Sequence, residues 1–456
     1  MIQSVNPATG DVIESFDAHT AAEVEAALAG ADRAQRMWRR VPVERRVELL
    51  SSMARSLRAS ADAYARLITE EIGKPISESR AEIEKCAVTC DFYAEAAPRF
   101  LADESVKSNA TDSSVVFDPL GVVLAIMPWN YPFWQFFRFA APALAAGNGA
   151  ILKHANNVPR SALAIEAMMN EAGCPDGLMR TVLVEASEVA GLIADDRIAA
   201  VTLTGSTQVG QIVASQAGNA LKKQVLELGG SDPFIVLSDA DVAAAAATAV
   251  KSRFINVGQS CVNAKRFIVQ EEVAETFLEH FRHGISALRI GDPMDPQTQI
   301  GPMARFNLRA ELHDQVTRSI RDGAKLALGG EMLDRPGCYY APTLLDRVRP
   351  EHTSFREELF GPVASVIRCA SAEDAVALAN NTEFGLGAAV WTSDLDLARR
   401  MTREIDAGAV FVNGMVASDA RLPFGGIKKS GYGRELGSYG IREFTNIKTV
   451  WIGPAQ

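Results

Sequence analysis

The chain of 456 residues has neither an excess of basic residues nor a long apolar run. Its 46 Lys and Arg residues are outnumbered by 56 Asp and Glu residues, so the formal net charge is −10. This charge disfavours nucleic acid and anionic membranes as main partners, because both are themselves negative. We predict no transmembrane helix, since no stretch offers about 18 consecutive apolar residues. The opening sequence, MIQSVNPATGDVIE, also lacks the charged and apolar regions of a secretory signal.

Cysteine is scarce as well. Six Cys residues are too few for a disulfide framework in a chain of this length, and we predict a protein of the reducing cytoplasm. Cys86 and Cys90 lie four residues apart in a predicted helix and could share one face. No nearby His or second Cys pair completes a metal site, so we interpret the two thiols as helix packing and predict no metal.

The length predicts two or three domains, and an alternation of strands and helices predicts an α/β fold. Short, almost wholly apolar strands are expected at residues 122–127, 150–152, 180–183 and 200–203, with helices between them. A second alternation runs from residue 234 to about 412, with strands near 234–237, 266–269, 363–368 and 388–391. These patterns predict two doubly wound domains with a ligand cleft between them.

The remaining segments are predicted from turn and cap signals. Residues 1–17 are expected to form a hairpin, and helices are expected at 20–28, 54–72 and 76–95. Thr20 and Glu23 have the spacing of a capping box, and Gly73-Lys74-Pro75 ends the second helix. The β-rich segments near 113–117 and 444–452 need an edge to pair with, which another subunit could supply.

A thiol and a carboxylate are the candidate reacting groups. Cys261 lies in Gly258-Gln259-Ser260-Cys261, and Glu227 begins Glu227-Leu228-Gly229-Gly230. A thiolate is a strong nucleophile, and a carboxylate can activate water. Each motif alone also has a structural interpretation, because a lone Cys is most often buried and a Glu beside glycines most often ends a surface strand.

Further polar residues follow the predicted strands. Asn130, in Pro128-Trp129-Asn130-Tyr131-Pro132, offers an amide N–H that could stabilise an oxyanion. Lys153 could bind ribose hydroxyls or a phosphate, and Thr204-Gly205-Ser206-Thr207 opens a helix whose N-terminus suits a pyrophosphate. Taken singly, Asn130 and Lys153 are better explained by a Pro-bounded turn and a surface lysine, and an N-capped helix explains the third motif equally well.

Six segments in order and register resemble the signature set of the aldehyde dehydrogenase family. They are PWNYP at 128–132, LTGST at 203–207, ELGG at 227–230, GQSC at 258–261, EELFGP at 357–362 and PFGGIKKSGYGRE at 423–435. The resemblance covers essentially the whole chain. It implies two doubly wound α/β domains with a β-strand oligomerisation arm, assembled as a homodimer or homotetramer.

The resemblance also implies domain limits. The cofactor-binding domain would comprise residues 1–106, 119–228 and 415–440. The catalytic domain would comprise residues 229–414, and the arm residues 107–118 and 441–456.

The resemblance implies a role for each matching residue. Cys261 is the implied nucleophile, Glu227 the general base, and Asn130 with the backbone N–H of Cys261 the oxyanion hole. The implied reaction oxidises an aldehyde to an acid through a cysteine thiohemiacetal and thioester. The cofactor, NADP and/or NAD, is implied to contact Trp129, Lys153, His154, Asn156, Gly205, Ser206, Leu228, Glu358 and Phe360.

Cofactor choice is partly readable from Asn156. In many relatives that prefer NAD, a Glu stands three residues after the Lys. Asn156 occupies that position here, which removes a repulsion against a 2′-phosphate, while Lys153 can attract it. We therefore predict that NADP is accepted, with NAD as a possible second cofactor.

The substrate is indicated by Arg138 and Ser418. Both positions resemble the carboxylate-binding sites of succinate-semialdehyde dehydrogenases, and an Arg pairs well with a carboxylate. Ile255 departs from that pattern, because those enzymes often carry a second Arg there. The alternatives are a structural ion pair for Arg138, and a tunnel for a more apolar aldehyde lined by Phe133, Trp134, Phe136 and Phe137.

Three other functional classes are alternatives to an aldehyde dehydrogenase. A CoA-acylating relative typically lacks the base, and a catalytically silent binding or structural relative would be expected to lack Cys261 or Glu227, yet both residues are present. A cysteine hydrolase needs a His partner, and none of the six His residues has a supporting motif. Oxidation of an aldehyde, with succinic semialdehyde as the expected substrate, is therefore the favoured function.

Overall fold

The structure is a computed structural model that describes residues 1–454. Its strands are β1 (Ile2–Val5), β2 (Val12–Phe16), β3 (Glu104–Ser105), β4 (Asp112–Pro119), β5 (Val122–Met127), β6 (Gly149–His154), β7 (Met179–Thr181), β8 (Ile198–Thr204), β9 (Lys223–Glu227), β10 (Asp232–Val236), β11 (Ala264–Gln270), β12 (Lys325–Leu328), β13 (Thr343–Asp346), β14 (Val363–Cys369), β15 (Gly387–Trp391), β16 (Ala409–Val412), β17 (Gly431–Tyr432) and β18 (Thr445–Ile452).

The α-helices alternate with these strands. They are α1 (Ala21–Trp38), α2 (Val43–Ala59), α3 (Ala61–Ile72), α4 (Ile76–Phe100), α5 (Pro132–Ala145), α6 (Pro159–Glu171), α7 (Val189–Ala194), α8 (Thr207–Asn219), α9 (Val242–Phe254), α10 (Glu271–Ser286), α11 (Phe306–Arg321), α12 (Thr353–Arg356), α13 (Ala372–Asn380), α14 (Leu395–Glu404) and α15 (Gly437–Glu443). Within residues 1–454, none of these helices combines the length and the apolar character needed to cross a bilayer.

The first sheet has six strands in the order β17-β9-β8-β5-β6-β7. The pairings among β5 to β9 are parallel, and β17 closes one edge in the antiparallel direction. Chain order runs outward from β5 in one direction through β6 and β7, and in the other through β8 and β9. The reversal between β5 and β8 is a topological switch point, where the carboxyl ends of the strands border a ligand crevice.

The second sheet has seven strands in the order β12-β13-β14-β11-β10-β15-β16. All of its pairings are parallel except that of β12 with β13. Its central strands are buried along their whole length, because helices cover both faces. The short link from β9 to β10 joins the two sheets, so residues 228–231 lie between them.

A third sheet stands apart from these two. It pairs β18 with β4 over eight residues in antiparallel register, and β4 with the short β3. The predicted terminal strand therefore exists, and its partner within the chain is β4. β18 remains an edge strand on which Ile447, Trp451 and Ile452 are each more than half exposed.

The prediction of an α/β fold with two doubly wound units and a separate strand element is confirmed. The strand expected at 122–127 is found at those residues, and the hairpin and the capping box of Thr20 and Glu23 are present. The predicted helix at 54–72 is wrong in its bounds. The chain leaves the helical conformation at Ser60, where φ is −113° and ψ is 19°, so α2 and α3 are separate.

Candidate active site

Several functional motifs meet at the carboxyl edge of the first sheet. Trp129 and Asn130 follow β5, Gly205 and Ser206 follow β8, and Leu228 follows β9. Since these three strands are neighbours and parallel, their carboxyl ends open on one crevice. These motifs are far apart in the sequence but close together in the structure, as the β-α alternation predicts.

Cys261 reaches this crevice from the second sheet, on the segment before β11. That segment has an uncommon backbone, with φ of 54° at Asn256, 55° at Val257 and 71° at Gly258. The backbone N–H of Asn256 donates to Glu78 at 2.7 Å, and its Nδ2 donates to the carbonyl of Asn130 at 2.9 Å. These bonds fix the segment against α4 and the loop after β5.

Two buried cations hold the backbone on either side of Cys261. Arg253 donates to the carbonyls of Gly258 at 3.2 Å and Leu359 at 2.9 Å. The ammonium of Lys265 donates to the carbonyls of Ser260 at 3.0 Å and Cys261 at 2.9 Å. Each charge is therefore spread over several carbonyl dipoles, which fixes the position of the thiol.

Cys261 lies where two cavities meet. The larger has a volume of about 460 Å³ and is lined by the cysteine, Trp129, Asn130, Gly205, Ser206, Leu228, Gly229, Arg305, Glu358 and Phe360, among others. The smaller has a volume of about 190 Å³ and is lined by the cysteine, Lys85, Trp134, Arg138, Ile255, Ser418 and Phe424, among others. Cys261 is therefore shared by the two cavities.

The thiol of Cys261 is only partly exposed, and this burial raises its pKa to about 12. Burial is the largest effect because a thiolate loses water contacts. The positive charges of Arg138 and Lys265 act in the opposite direction and lower the pKa. At neutral pH the resting site therefore contains a thiol.

Asn130 and the backbone of Cys261 supply hydrogen-bond donors beside the sulfur. Nδ2 of Asn130 donates one hydrogen to the carbonyl of Gln259 at 3.0 Å, and an amide nitrogen has two. Within residues 1–454, the N–H of Cys261 has no hydrogen-bond partner. One hydrogen of Asn130 and the N–H of Cys261 thus remain for an oxyanion.

Glu227 ends β9, and its carboxylate lies beside Gly425. The side chain is buried and packs against Gly425, where an added Cβ would lie 2.7 Å from Oε1. Among the described residues, neither carboxylate oxygen has a hydrogen-bond partner. Burial first, and then the charge of Glu435, raise its pKa well above the usual range. Neither of the two cavities at the thiol is lined by this residue.

Arg138 lines the smaller cavity and also forms a buried ion pair with Glu435. Its Nη2 donates to Thr204 at 3.2 Å, and its guanidinium lies 4.6 Å from the ring centroid of Phe424. Ser418 lines the same cavity and accepts a hydrogen bond of 2.6 Å from Lys85. The structure thus combines the cavity position and the structural ion pair that the sequence presented as alternatives for Arg138.

The aromatic run after Asn130 lies in the core and reaches the smaller cavity at one residue. Trp134 lines the smaller cavity, whereas Phe133, Phe136 and Phe137 have no exposed surface. All four side chains belong to the hydrophobic core, and Trp134 also lines the cavity.

Lys153 and His154 at the end of β6, and Asn156 just after it, lie outside the lining of the larger cavity. Lys153 donates to the side-chain oxygen of Asn156 at 2.9 Å, and Asn156 donates to Glu185 at 2.8 Å. His154 is buried, with Nε2 bonded to the carbonyl of Pro132 at 2.9 Å and Nδ1 accepting from the next N–H. Burial lowers the pKa of this imidazole to about 4, so it is neutral at physiological pH.

Sequence reasoning missed four charged residues at this site. They are Lys85, Glu185, Lys265 and Glu435. One signal was available for Lys265, because a charged pair interrupts the otherwise apolar strand β11. Lys85 and Glu185 carried no such signal, since charged residues on helices and loops are most often solvated.

Comparisons with known proteins give the family of the chain. The model of the aldehyde dehydrogenase family matches residues 1–450. A probable succinate-semialdehyde dehydrogenase (NADP(+)) of Synechocystis sp. is 50% identical over 451 residues, which cover 99% of each chain. A succinate semialdehyde dehydrogenase (NAD(P)+) of Escherichia coli is 48% identical and covers 98% of this chain and 97% of its own.

A solved structure also has nearly the same fold as this chain. The succinic semialdehyde dehydrogenase of Streptococcus pyogenes, in complex with NADP+, superposes with a TM-score of 0.97 at 36% identity and covers all of both chains. The chain belongs to the aldehyde dehydrogenase family. The resemblance found in the sequence motifs is therefore confirmed.

The raised pKa of Cys261 predicts how its reactivity changes with pH. Alkylation by iodoacetamide should become about tenfold faster per pH unit from pH 6 to pH 9, because only the thiolate reacts. The five other thiols are buried, so the fast reaction reports Cys261, and Cys261→Ser is the control that should lack it. A rate that levels off below pH 7 would contradict this prediction.

Proposed function

We propose that this protein oxidises an aldehyde to a carboxylic acid with NADP, and with NAD as a second acceptor, and that its substrate is succinic semialdehyde. The observation that carries the proposal is that Cys261 lines both cavities. The larger cavity would receive the nicotinamide end of the cofactor, and the smaller one would receive the aldehyde. The names of the similar proteins from Synechocystis sp., Escherichia coli and Streptococcus pyogenes support the choice of substrate.

In the proposed reaction, the sulfur of Cys261 adds to the aldehyde carbon after the thiol has lost its proton. A C–S bond forms and the carbonyl oxygen becomes an alkoxide. The free hydrogen of Asn130 Nδ2 and the N–H of Cys261 stabilise this charge, as donors in an oxyanion hole do. When bound, the nicotinamide ring supplies the acceptor of the hydride that leaves this carbon, and a thioester of Cys261 remains.

Glu227 then acts as general base on the water that hydrolyses the thioester. It takes a proton from the water, the oxygen attacks the acyl carbon, and the C–S bond breaks to release the acid. For this step the side chain must turn from Gly425 toward the larger cavity, where the adjacent Leu228 and Gly229 already lie. This rotation would also reduce the burial of the Glu227 carboxylate and increase its distance from Glu435. Both changes favour the ionised form of Glu227.

The larger cavity fits a dinucleotide in size and in chemistry. Trp129 and Phe360 contribute aromatic rings 5.7 Å apart, and Ser206 is the N-cap of α8, whose helix N-terminus favours a phosphate. Glu358 accepts a hydrogen bond from the N–H of Gly230 at 3.0 Å, so its carboxylate is oriented at the wall. We propose that these residues hold the cofactor, with Lys153 and Asn156 beyond them at the ribose.

We also propose that the third sheet is an oligomerisation arm. The exposed apolar side chains of the edge strand β18 support its pairing with another subunit in a homodimer or homotetramer. The three sheets support the domain limits predicted from sequence, including 107–118 and 441–456 for the arm. The six free thiols support the reducing cytoplasm as the location.

The central experiment measures cofactor reduction at 340 nm with succinic semialdehyde, butanal and a larger aromatic aldehyde, each with NADP and with NAD. We expect kcat/KM to be highest with succinic semialdehyde, and Cys261→Ala to lose turnover with every aldehyde because the acyl carrier is gone. A preference for butanal would refute the proposed substrate. Turnover by Cys261→Ala would refute the proposed mechanism.

The role of Glu227 predicts a change in the rate-limiting step. Glu227→Gln keeps the shape of the side chain but cannot take a proton, so thioester hydrolysis should slow about 100-fold or more. Mixing the variant with aldehyde and NADP should then give a rapid burst of reduced cofactor followed by slow turnover, with acylated Cys261 detectable by mass spectrometry. Steady turnover at the wild-type rate without acylation would place the base elsewhere.

The carboxylate of Glu185 predicts a shift in cofactor preference. It accepts a hydrogen bond from Asn156, beside the proposed ribose site, and would repel a 2′-phosphate. Glu185→Gln should raise the ratio of kcat/KM with NADP to kcat/KM with NAD by about fivefold, the effect of one charge near water. Glu188→Gln, which removes an exposed carboxylate from the same turn, is the matched control. Equal ratios in both variants would contradict the prediction.

A further inference from the structure

Lys85 is a half-buried cation in the smaller cavity that the reaction described above does not use. It lies on α4 and lines this cavity together with Cys261. Its Nζ donates to Oγ of Ser418 at 2.6 Å and lies 4.2 Å from the ring centroid of Trp134. An ammonium has three hydrogens, so two donors remain for a ligand.

The two cations that line the smaller cavity differ in how their charge is balanced. The charge of Arg138 is paired with Glu435, and Thr204 and Phe424 occupy further positions around its guanidinium. Among residues 1–454, no carboxylate lies within ion-pair distance of Lys85. Lys85 is therefore the cation whose charge the protein leaves unpaired.

The nearest acidic groups are engaged elsewhere. Glu82 forms a buried ion pair with Lys74, and Asp419 accepts a hydrogen bond of 2.8 Å from Arg421. Ile255 lines the cavity with an apolar side chain and supplies no charge. An anion that enters this cavity would consequently find one uncommitted positive group.

Burial, and then the positive charge of Arg138, lower the pKa of Lys85 to about 8. The negative charges of Glu82 and Asp419 act in the opposite direction. Because the pKa remains above 7, most of the lysine is charged at neutral pH. A bound carboxylate would stabilise the charged form, since an opposite charge raises the pKa of an amine.

We propose that Lys85, oriented by Ser418 and Trp134, binds the distal carboxylate of the substrate while the aldehyde carbon lies at Cys261. The inference rests on the proposed function and deepens it, because it makes the ligand class ω-carboxylated aldehydes. In this arrangement Arg138 positions the wall of the cavity through Glu435, and Lys85 contacts the substrate. Ser418 then contributes by fixing the ammonium.

The first test measures the anion site without relying on the proposed substrate. 4-Hydroxybutanoate carries the carboxylate of succinic semialdehyde but cannot be attacked by a thiolate, so it serves as an inhibitor of butanal oxidation. Lys85→Met removes the charge at similar length, and its inhibition constant should rise roughly 10- to 100-fold, as loss of one charge-assisted hydrogen bond implies. Lys85→Arg should recover much of the affinity, and Lys251→Met, an exposed lysine on α9, is the matched control.

An unchanged inhibition constant in Lys85→Met would overturn the proposal. A purely structural role would also overturn it, and would appear as an equal loss of butanal turnover and of inhibitor affinity that Lys85→Arg does not restore. A selective rise in the inhibition constant, with recovery in Lys85→Arg, supports the anion site.

The second test separates this inference from the proposed function. The ratio of kcat/KM for succinic semialdehyde to kcat/KM for butanal is measured in the same variants. If the wild-type enzyme prefers succinic semialdehyde and Lys85→Met loses that preference by 10-fold or more, both proposals are supported. If the wild-type enzyme shows no preference, the proposed substrate is wrong, and the inhibition constants still decide whether Lys85 binds a carboxylate.

Discussion

The position of the Cys261 sulfur depends on a strained backbone in the segment before it. Asn256, Val257 and Gly258 have consecutive positive φ values, and a left-handed β-branched residue such as Val257 is rare. Each such non-glycine residue costs of order 1–3 kcal/mol and persists only where its surroundings enforce it. Gly258 cannot be replaced without conflict, because an added Cβ would lie 2.3 Å from the carbonyl oxygen of Gly361. Glu78, which accepts from the N–H of Asn256, and Arg253, which donates to the carbonyl of Gly258, hold this backbone in place.

Helix α4 links this constraint to the rest of the site. Glu78, Glu82 and Lys85 follow the spacing i, i+4, i+7, so they lie on one face of the helix. Glu78 accepts from the backbone of Asn256, and Glu82 accepts from two N–H groups at the start of α5 at 2.9 Å. Lys85 reaches the smaller cavity. These three residues on one face of α4 therefore have three effects. Glu78 holds the segment before Cys261, Glu82 holds the start of the helix that carries Arg138, and Lys85 lines the smaller cavity.

The fold was largely predictable because strong periodic patterns survive in the sequence. The strand at 122–127 is apolar throughout, and its bounds were found from that pattern alone. β9 was missed because it begins Lys-Gln and offers only Val225 and Leu226 as apolar residues, although it carries Glu227. The break at Ser60 was missed because helical apolar spacing continues across it. Local patterns reveal an element, but its ends depend on contacts made elsewhere in the chain.

The site was predictable where motifs bear the chemistry and unpredictable where charges are balanced in space. Cys261 and Asn130 come together as the motifs indicate, whereas the ion pair of Arg138 with Glu435 joins residues almost 300 positions apart. The position of Glu227 bears on the pKa of the Cys261 thiol. A negative charge beside Cys261 would raise the thiol pKa further and oppose the first step of the proposed reaction. In the proposed reaction, a carboxylate that stays against Gly425 until the sulfur is acylated would avoid that conflict, because a thioester has no charge for the base to repel.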